Sequence, residues 1–331
     1  MTFLSFPART SMPSVDGMAE TMRAMIQDEL GGPEVLHETA LPIPTPGIGQ
    51  LLVRVRAAGV NPADFMNRQT GAFSGTPPFV LGWDVAGVVA SVGPGVTLFE
   101  QGDEVFGLLP FPRGAGAYAE YVLAPTRALV RKPRSLSFVE AAALPLAGLT
   151  AWQMLAETAQ ISDGSTVLVT GATGGVGHLA VQIAKAQGAH VTAVVSARNA
   201  ELARSLGADD VIDYTSTDFS NEVEGLDVVF DVIGADYPLR ALDVLRPGGL
   251  LVSTLPQSLG PARAAAAERG LRVAGVFVES DRLGLMAITD LTLRGKLTPL
   301  IAKTFPLERA GDAHAFRDGR GKVVLEVPQT T

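Results

Sequence analysis

The 331-residue sequence contains no cysteine. Disulfides, thiol nucleophiles and every zinc site built on Cys ligands are excluded with it. Cysteine usage consequently says nothing about redox compartment. Histidine is almost as scarce: the full set is His37, His178, His190 and His314, and no two stand at a metal-pair spacing. No metal is expected. Positive charge is also in deficit, with 26 Lys+Arg against 34 Asp+Glu and a net charge of -8. An acidic surface repels phosphate backbones, so no nucleic-acid partner is expected. Long apolar runs are missing too. The uncharged, largely apolar run Ala141 to Ala156 is interrupted by Pro145 and Gly148 and is short for a membrane span. Residues 1–21 mix Ser, Thr, Pro and Met without an apolar segment followed by a cleavage site. A disordered extension over 1–21 and a soluble, cytoplasmic chain with no membrane partner are expected.

What is present suits a compact enzyme. A chain of this length that is 47% hydrophobic and only 18% charged can bury two cores, so two domains are expected. From Arg23 to about Val130 the pattern is β-rich. "QLLVRVRAAGV" (Gln50 to Val60) alternates apolar and polar residues, and "DVAGVVASVGPGV" and "GDEVFGLL" are further strands broken at Gly and Pro. A small barrel-like or rolled sheet follows.

The pattern changes near Leu144, where strands and helices begin to alternate. "TVLVTG" (Thr166 to Gly171) reads as a strand, "GVGHLAVQIAKAQG" (Gly175 to Gly188) as a helix and "HVTAVV" (His190 to Val195) as a strand. "AELARSLGA" is a helix, "DVVFDVIG" a strand, "YPLRALDVLRPGG" a helix and "LLVSTL" a strand. Leu271 to Val278 reads as the last strand. This order predicts an α/β fold with a doubly wound parallel sheet. A helix, "LGLMAITDLTLRGKL", and a closing strand, Lys322 to Val327, complete the chain.

The strongest chemical motif is the loop Gly171-Ala172-Thr173-Gly174-Gly175-Val176-Gly177. It follows an apolar strand and opens a helix. Glycines at the first, fourth and seventh positions permit a sharp turn and close approach of backbone to a pyrophosphate, which the helix N-terminus then attracts. The alternative is a tight packing turn without ligand. At the end of the second strand, where NAD sites place a carboxylate for the ribose 2′-OH, stands Ser196, with Arg198 two residues on. A hydroxyl and a guanidinium suit a 2′-phosphate, so NADPH is the expected cofactor.

Taken in order, "RAAGVNPADFMNRQTGAF", "VLGWDVAGVVASVGPGV", "GDEVFG", "GAYAEYVLAP", "AAALPLAGLTAWQML", "VLVTGATGGVGHLAVQIAKAQGAHV" and "LRPGGLLV" resemble the zinc-independent medium-chain dehydrogenases/reductases, in the quinone oxidoreductase and alkenal/enone reductase branch. The resemblance implies a GroES-like β-rich catalytic domain (22–143 and 281–331), an inserted Rossmann domain (144–280) and a cleft between them. In zinc-dependent relatives a Cys ligand stands where this chain has Asn61, and "GHE" where it has Gly82-Trp83-Asp84. The Lewis acid of those relatives is therefore missing here. The expected activity is NADPH-dependent hydride transfer to a quinone or an α,β-unsaturated carbonyl. An NADPH-binding sensor or structural protein with little turnover, and an enoyl-thioester reductase, stay open as alternatives.

By motif position, Asn61 lies in the cleft near the nicotinamide, where its amide is a candidate catalytic donor; read alone, it is a turn residue before Pro62. Thr150, Gly234, Leu255, Phe277 and Lys322 are further cofactor-contact candidates on the same resemblance. Asp64 is read as a helix cap, Asn67 as a weaker contact, Trp83 and Trp152 as packing residues, and Tyr118 as one possible proton donor. The apolar segment Leu271 to Val278 suggests edge-to-edge pairing in a homodimer.

Overall fold

The structure, a computed structural model, describes residues 20–328. Apart from Glu20 and Thr21, the expected N-terminal extension lies outside the described residues.

The β-rich part begins with β1 (Thr21–Gln27), β2 (His37–Pro42) and β3 (Gln50–Val60), then α1 (Pro62–Thr70). β4 (Phe79–Val80), β5 (Asp84–Val92), β6 (Glu104–Leu108), β7 (Tyr121–Pro125) and β8 (Leu129–Arg131) follow. Alternation decides which face each strand buries: along β3, Leu51, Val53 and Val55 are fully buried while Arg54 is exposed. Two short helices, α2 (Phe138–Ala142) and α3 (Pro145–Trp152), lead into the second sheet.

That sheet contains β9 (Thr166–Thr170), β10 (His190–Val195), β11 (Asp210–Asp213), β12 (Leu226–Asp231), β13 (Leu245–Ser253) and β14 (Arg272–Gly275). Its connecting helices are α4 (Gly177–Ala186), α5 (Ala200–Ser205), α6 (Tyr237–Val244) and α7 (Gly260–Glu268). All pairings are parallel, in the order β11-β10-β9-β12-β13-β14. The strands are apolar nearly throughout because helices cover both faces. The order reverses between β9 and β12, which opens a crevice at their C-terminal ends.

After α8 (Arg282–Leu293), β15 (Ile301–Pro306), α9 (Ala310–Ala315) and β16 (Lys322–Glu326), the chain is back on the first sheet. β16 pairs antiparallel with β3 and parallel with β15, giving the order β15-β16-β3-β5-β6-β8, with β7 also on β3. β1, β2 and β4 form a separate three-stranded sheet.

Three expectations are corrected. β15, with two exposed positions, was not expected as a strand. The helix expected across "YPLRALDVLRPGG" stops at Val244, and Leu245 already begins β13. The last strand of the second sheet is Arg272–Gly275 rather than Leu271 to Val278: the chain leaves the ladder after Gly275 and carries Phe277 out to a 55% exposed position. Among the described residues, no helix is long and apolar enough to cross a membrane.

Candidate active site

The Gly-rich loop sits at the crevice between β9 and β12. Gly171 has φ +58°, and a Cβ there would meet Val232 Cγ2 at 2.9 Å. A Cβ on Gly177 would stand 2.2 Å from Gly171 O, so helix α4 approaches β9 only if that position is glycine. The Gly174 N–H closes the turn on Gly171 O at 2.9 Å. Ala172 and Thr173 are buried, whereas Gly174, Gly175 and Val176 are half-exposed at the helix mouth. In the first turn of α4 the His178 N–H donates to Gly174 O and the Leu179 N–H to Val176 O, each at 3.1 Å, and the helix N-terminus carries a partial positive charge. A cradle of glycine backbone, in which a Cβ on Gly174 would stand 3.2 Å from Gly171 O and one on Gly175 3.5 Å from Gly321 O, fits a pyrophosphate.

The crevice walls come from successive strand ends. Ser196 is half-buried after β10, and Arg198 is exposed with its guanidinium 3.4 Å from Asp318 O. Asp213, at the end of β11, accepts the Ala197 N–H at 3.0 Å. Hydrogen bonds from Thr215 hold its carboxyl below the usual range. Sequence reading missed this carboxylate because it lies on the neighbouring strand; its lone pairs are turned onto the loop backbone. Gly234, with φ +73°, donates its N–H to the buried Asp231 carboxylate, and Leu255 packs over it.

Beside the loop is a buried polar cluster. The Asn61 side chain donates from Nδ2 to Asp84 Oδ2 at 2.8 Å and accepts from Lys322 Nζ at Oδ1. Lys322 Nζ also reaches Val60 O at 3.2 Å and Asp84 Oδ2 at 3.5 Å, while Asp84 Oδ1 accepts the Leu146 N–H at 2.7 Å. An ammonium only donates and a carboxylate only accepts, so the orientation of the Asn61 amide is forced. One Nδ2 proton is left over from these contacts. Burial pushes the Asp84 carboxyl up, and Lys322 opposes that rise. The Lys322 ammonium is thus occupied by three protein acceptors. Only its stem borders the phosphate loop: a Cβ on Gly175 would lie 3.6 Å from Lys322 Cδ.

Asp64 caps α1 as expected, accepting the Asn61 N–H at 2.8 Å and, from its other oxygen, the Gly82 N–H at 3.1 Å. Full burial raises its carboxyl to about 7. Tyr118 is corrected as a proton donor to substrate. Its ring is fully buried and its hydroxyl lies 3.0 Å from His314 Nε2. Arg68 donates to His314 Nδ1 at 2.9 Å, so in the neutral ring the proton sits on Nε2 and points at Tyr118. Burial drives His314 down to about 3. Asn67 is likewise consumed internally. Its Oδ1 accepts the N–H groups of Phe73 and Ser74, each at 3.0 Å, and pins the loop after α1.

Thr150 is buried on α3 and donates to Leu146 O at 2.6 Å, so it is no helix cap. One turn further, Gln153 holds the backbone of Glu279 from both sides, at 2.9 and 3.0 Å. The Phe277 side chain stacks on Phe111, centroids 6.3 Å apart. Trp83 is fully buried, as expected. The two sheets are joined around the cleft by Gly321 N–H to Thr173 O at 2.9 Å and by His178. His178 donates from Nδ1 to Gly174 O at 2.8 Å and accepts the Leu300 N–H at Nε2, 3.0 Å. Burial lowers it to about 4, which keeps the ring neutral for both roles.

Residues 47–134 match the family described as alcohol dehydrogenase GroES-like domain, and residues 206–325 match the one described as zinc-binding dehydrogenase. The chain is 36% identical to the 2-haloacrylate reductase of Burkholderia sp, over 93% of this chain and 99% of that protein. It is 35% identical to the chloroplastic NADPH-dependent alkenal/one oxidoreductase of Arabidopsis thaliana, over 97% of this chain and 83% of that one. Among solved structures, the quinone oxidoreductase of Coxiella burnetii superimposes with a TM-score of 0.88 at 34% identity, covering 93% of this chain and 100% of that chain. The Escherichia coli quinone oxidoreductase complexed with NADPH gives 0.84 at 29% identity, covering 92% and 99%. The zinc in one family's description has no counterpart in the ligand positions, where Asn61 and Trp83 stand in a chain without cysteine.

Proposed function

The chain belongs to the medium-chain dehydrogenase/reductase family, in its zinc-independent quinone and enone reductase branch, and from that premise we propose that it is an NADPH-dependent reductase of quinones or α,β-unsaturated carbonyls. The feature that supports this reading is the junction of two built features at Lys322, whose stem borders Gly175 and whose ammonium holds Asn61. On one side is a glycine cradle for a dinucleotide, and on the other a single amide, Asn61, locked between Lys322 and Asp84. Bound NADPH supplies a hydride, so that NADPH, a proton and the acceptor give NADP⁺ and the acceptor reduced by two hydrogens.

The residues divide that work. Gly171, Ala172, Thr173, Gly174, Gly175, Val176 and Gly177 hold the pyrophosphate, Ser196 and Arg198 the 2′-phosphate, and Gly234 and Leu255 the crevice wall. Thr150 accompanies the nicotinamide half. Asn61 presents its remaining N–H to the carbonyl oxygen of the acceptor, where negative charge grows as hydride arrives. Lys322 acts through Asn61, as the group that fixes the amide, and through the stem that borders Gly175. We assign 22–143 with 281–331 to the catalytic domain and 144–280 to the cofactor domain. The edge strand β14 and the exposed Leu283 and Leu293 of α8 support a homodimer, and a monomer mass by light scattering would count against it.

The test is absorbance at 340 nm with NADPH or NADH against 1,4-benzoquinone and trans-2-hexenal. Oxidation of NADPH with either acceptor supports the reading. Tight NADPH binding with no oxidation in either reaction would favour the sensor alternative.

A further inference from the structure

His178 and Gln182 stand one turn apart on α4, both buried, on the helix that opens at the glycine loop. Both reach the segment of chain that enters β15. Gln182 holds the Thr298 backbone from both sides, accepting its N–H at 2.8 Å and donating to its carbonyl at 3.0 Å. His178 does something different. Its Nε2 accepts the Leu300 N–H at 3.0 Å, which leaves the ring proton on Nδ1, and that proton goes to Gly174 O at 2.8 Å. One imidazole therefore spans from a carbonyl of the glycine loop to the backbone beside β15.

The connection runs on to the amide. Leu300 O accepts the Lys322 N–H at 2.8 Å, so both backbone polar groups of Leu300 are committed. Lys322 Nζ in turn donates to Asn61 Oδ1. Gly174, His178, Leu300, Lys322 and Asn61 are thus joined in one unbroken series of hydrogen bonds. A second attachment, Gly321 N–H to Thr173 O at 2.9 Å, lies beside the first. Two attachments at neighbouring loop residues fix the direction of the loop as well as its distance. With one of them, the loop can pivot.

We propose that His178 is a positioning residue for hydride transfer, which holds the glycine loop, and with it the cofactor, in register with the Asn61 amide. The inference rests on the reductase reading above and names the group that aligns its two halves. Packing does not call for an imidazole here, since buried apolar residues such as Leu179 and Ile183 pack the same helix without the desolvation cost of a polar ring. Donor and acceptor of a hydride are held by different parts of the chain, and a misplacement of about 1 Å between reacting groups costs up to about 100-fold in rate. The ring serves only while neutral, because an imidazolium has no acceptor for the Leu300 N–H. Burial first, and the Lys322 charge second, keep it so.

Side-chain length separates the two bonds. His178→Asn places an amide where Nδ1 stands and keeps the Gly174 bond. His178→Gln places one where Nε2 stands and keeps the Leu300 bond. His178→Leu keeps neither. Gln182→Met frees Thr298 without touching the loop and serves as the control. In the cofactor-free protein, exchange of the Leu300 amide hydrogen, followed by NMR, is expected to be roughly tenfold faster in His178→Leu and His178→Asn and near wild type in His178→Gln. With 1,4-benzoquinone and saturating NADPH, kcat is expected to fall roughly tenfold in all three His178 variants, because each breaks the span. The isotope effect with NADPH deuterated at the transferred position should rise with that fall. The NADPH Kd from fluorescence titration should move less than about threefold, since the loop's own turn is intact, and Gln182→Met should lose Tm but keep kcat. Unchanged Leu300 exchange in His178→Leu, kcat within about twofold of wild type in all three variants, or an equal kcat loss in Gln182→Met would overturn the positioning role and leave the reductase reading standing. A wild type that binds NADPH and turns over neither benzoquinone nor trans-2-hexenal would overturn both.

Discussion

Lys322 Nζ lies 3.5 Å from Asp84 Oδ2 with both side chains buried, and Asn61 is fastened between them. Removing one partner leaves an uncompensated charge or an unpaired acceptor in the interior. Lys322→Met is therefore expected to cost about 3–5 kcal/mol in urea unfolding, and adding Asp84→Asn to restore part of it. A loss under about 1 kcal/mol for Lys322→Met would show the pair to be solvated.

The loop glycines separate packing from binding. Gly177→Ala forces a Cβ against Gly171 O at 2.2 Å, a backbone atom that cannot swing away. Lower Tm and weaker NADPH binding are both expected. Gly175→Ala meets nothing closer than 3.5 Å, so its Tm is expected to stay near wild type. Equal Tm losses in the two variants would contradict the assigned geometry.

Arg198 is exposed, and among the described residues its one partner is the Asp318 carbonyl oxygen at 3.4 Å, which leaves most of its donors for a phosphate. Arg198→Ala is expected to reduce the preference for NADPH over NADH by roughly tenfold, the value of one charge-assisted contact. The two kcat/KM values check this. Added salt should narrow the wild-type preference in the same direction.

Three buried groups link stability to pH. His178 and His314 have folded values of about 4 and about 3, below the ordinary 6.5, so the unfolded chain binds their protons first as pH falls. Stability from these two is present above about 6.5 and is lost as pH falls towards the folded values. Asp64 acts oppositely. Its folded value of about 7 exceeds the ordinary 3.8, so its contribution is full below 3.8 and is lost as pH rises through 7. Each group is worth about 1.4 kcal/mol per pH unit inside its window. Asp64 thus offsets one histidine, and Asp64→Asn is expected to lose stability more steeply than wild type between pH 6.5 and 4. Parallel curves of ΔG against pH would refute this assignment.

Tyr118→Phe leaves the His314 Nε2–H without its acceptor at 3.0 Å in a buried site. A loss of about 1–3 kcal/mol in stability is expected. At 25 °C kcat should stay within about twofold of wild type, well short of the 10²–10⁴-fold that a general acid contributes. A hundredfold fall in kcat would return Tyr118 to the chemistry.

The glycine loop was legible because its logic is local: strand, glycine turn and helix are consecutive, and the demand for glycine at Gly177 comes from Gly171 O, six residues earlier. The parallel, doubly wound character of the sheet followed from alternating strands and helices for the same reason. Asp84 was noted only as the successor of Trp83, and its role as the clamp on Asn61 was invisible. The two are 23 residues apart, and Lys322 is 261 from Asn61. Tyr118 looked available as a donor because a hydroxyl in a β-rich segment carries no sign of its burial. Its partner His314 is 196 residues away.

By itself the sequence determined a β-rich part followed by an alternating α/β part, the glycine-rich turn and the absence of cysteine ligands, since residue type and short spacing carry all three. Tertiary structure alone decided which Asn61 proton remains free, which polar groups are spent on one another, and that Phe277 leaves its strand to face Phe111. Those outcomes depend on which distant segments become neighbours. Burial then sets the strength of each contact through the dielectric and the protons available, and neither quantity is a property of any one segment.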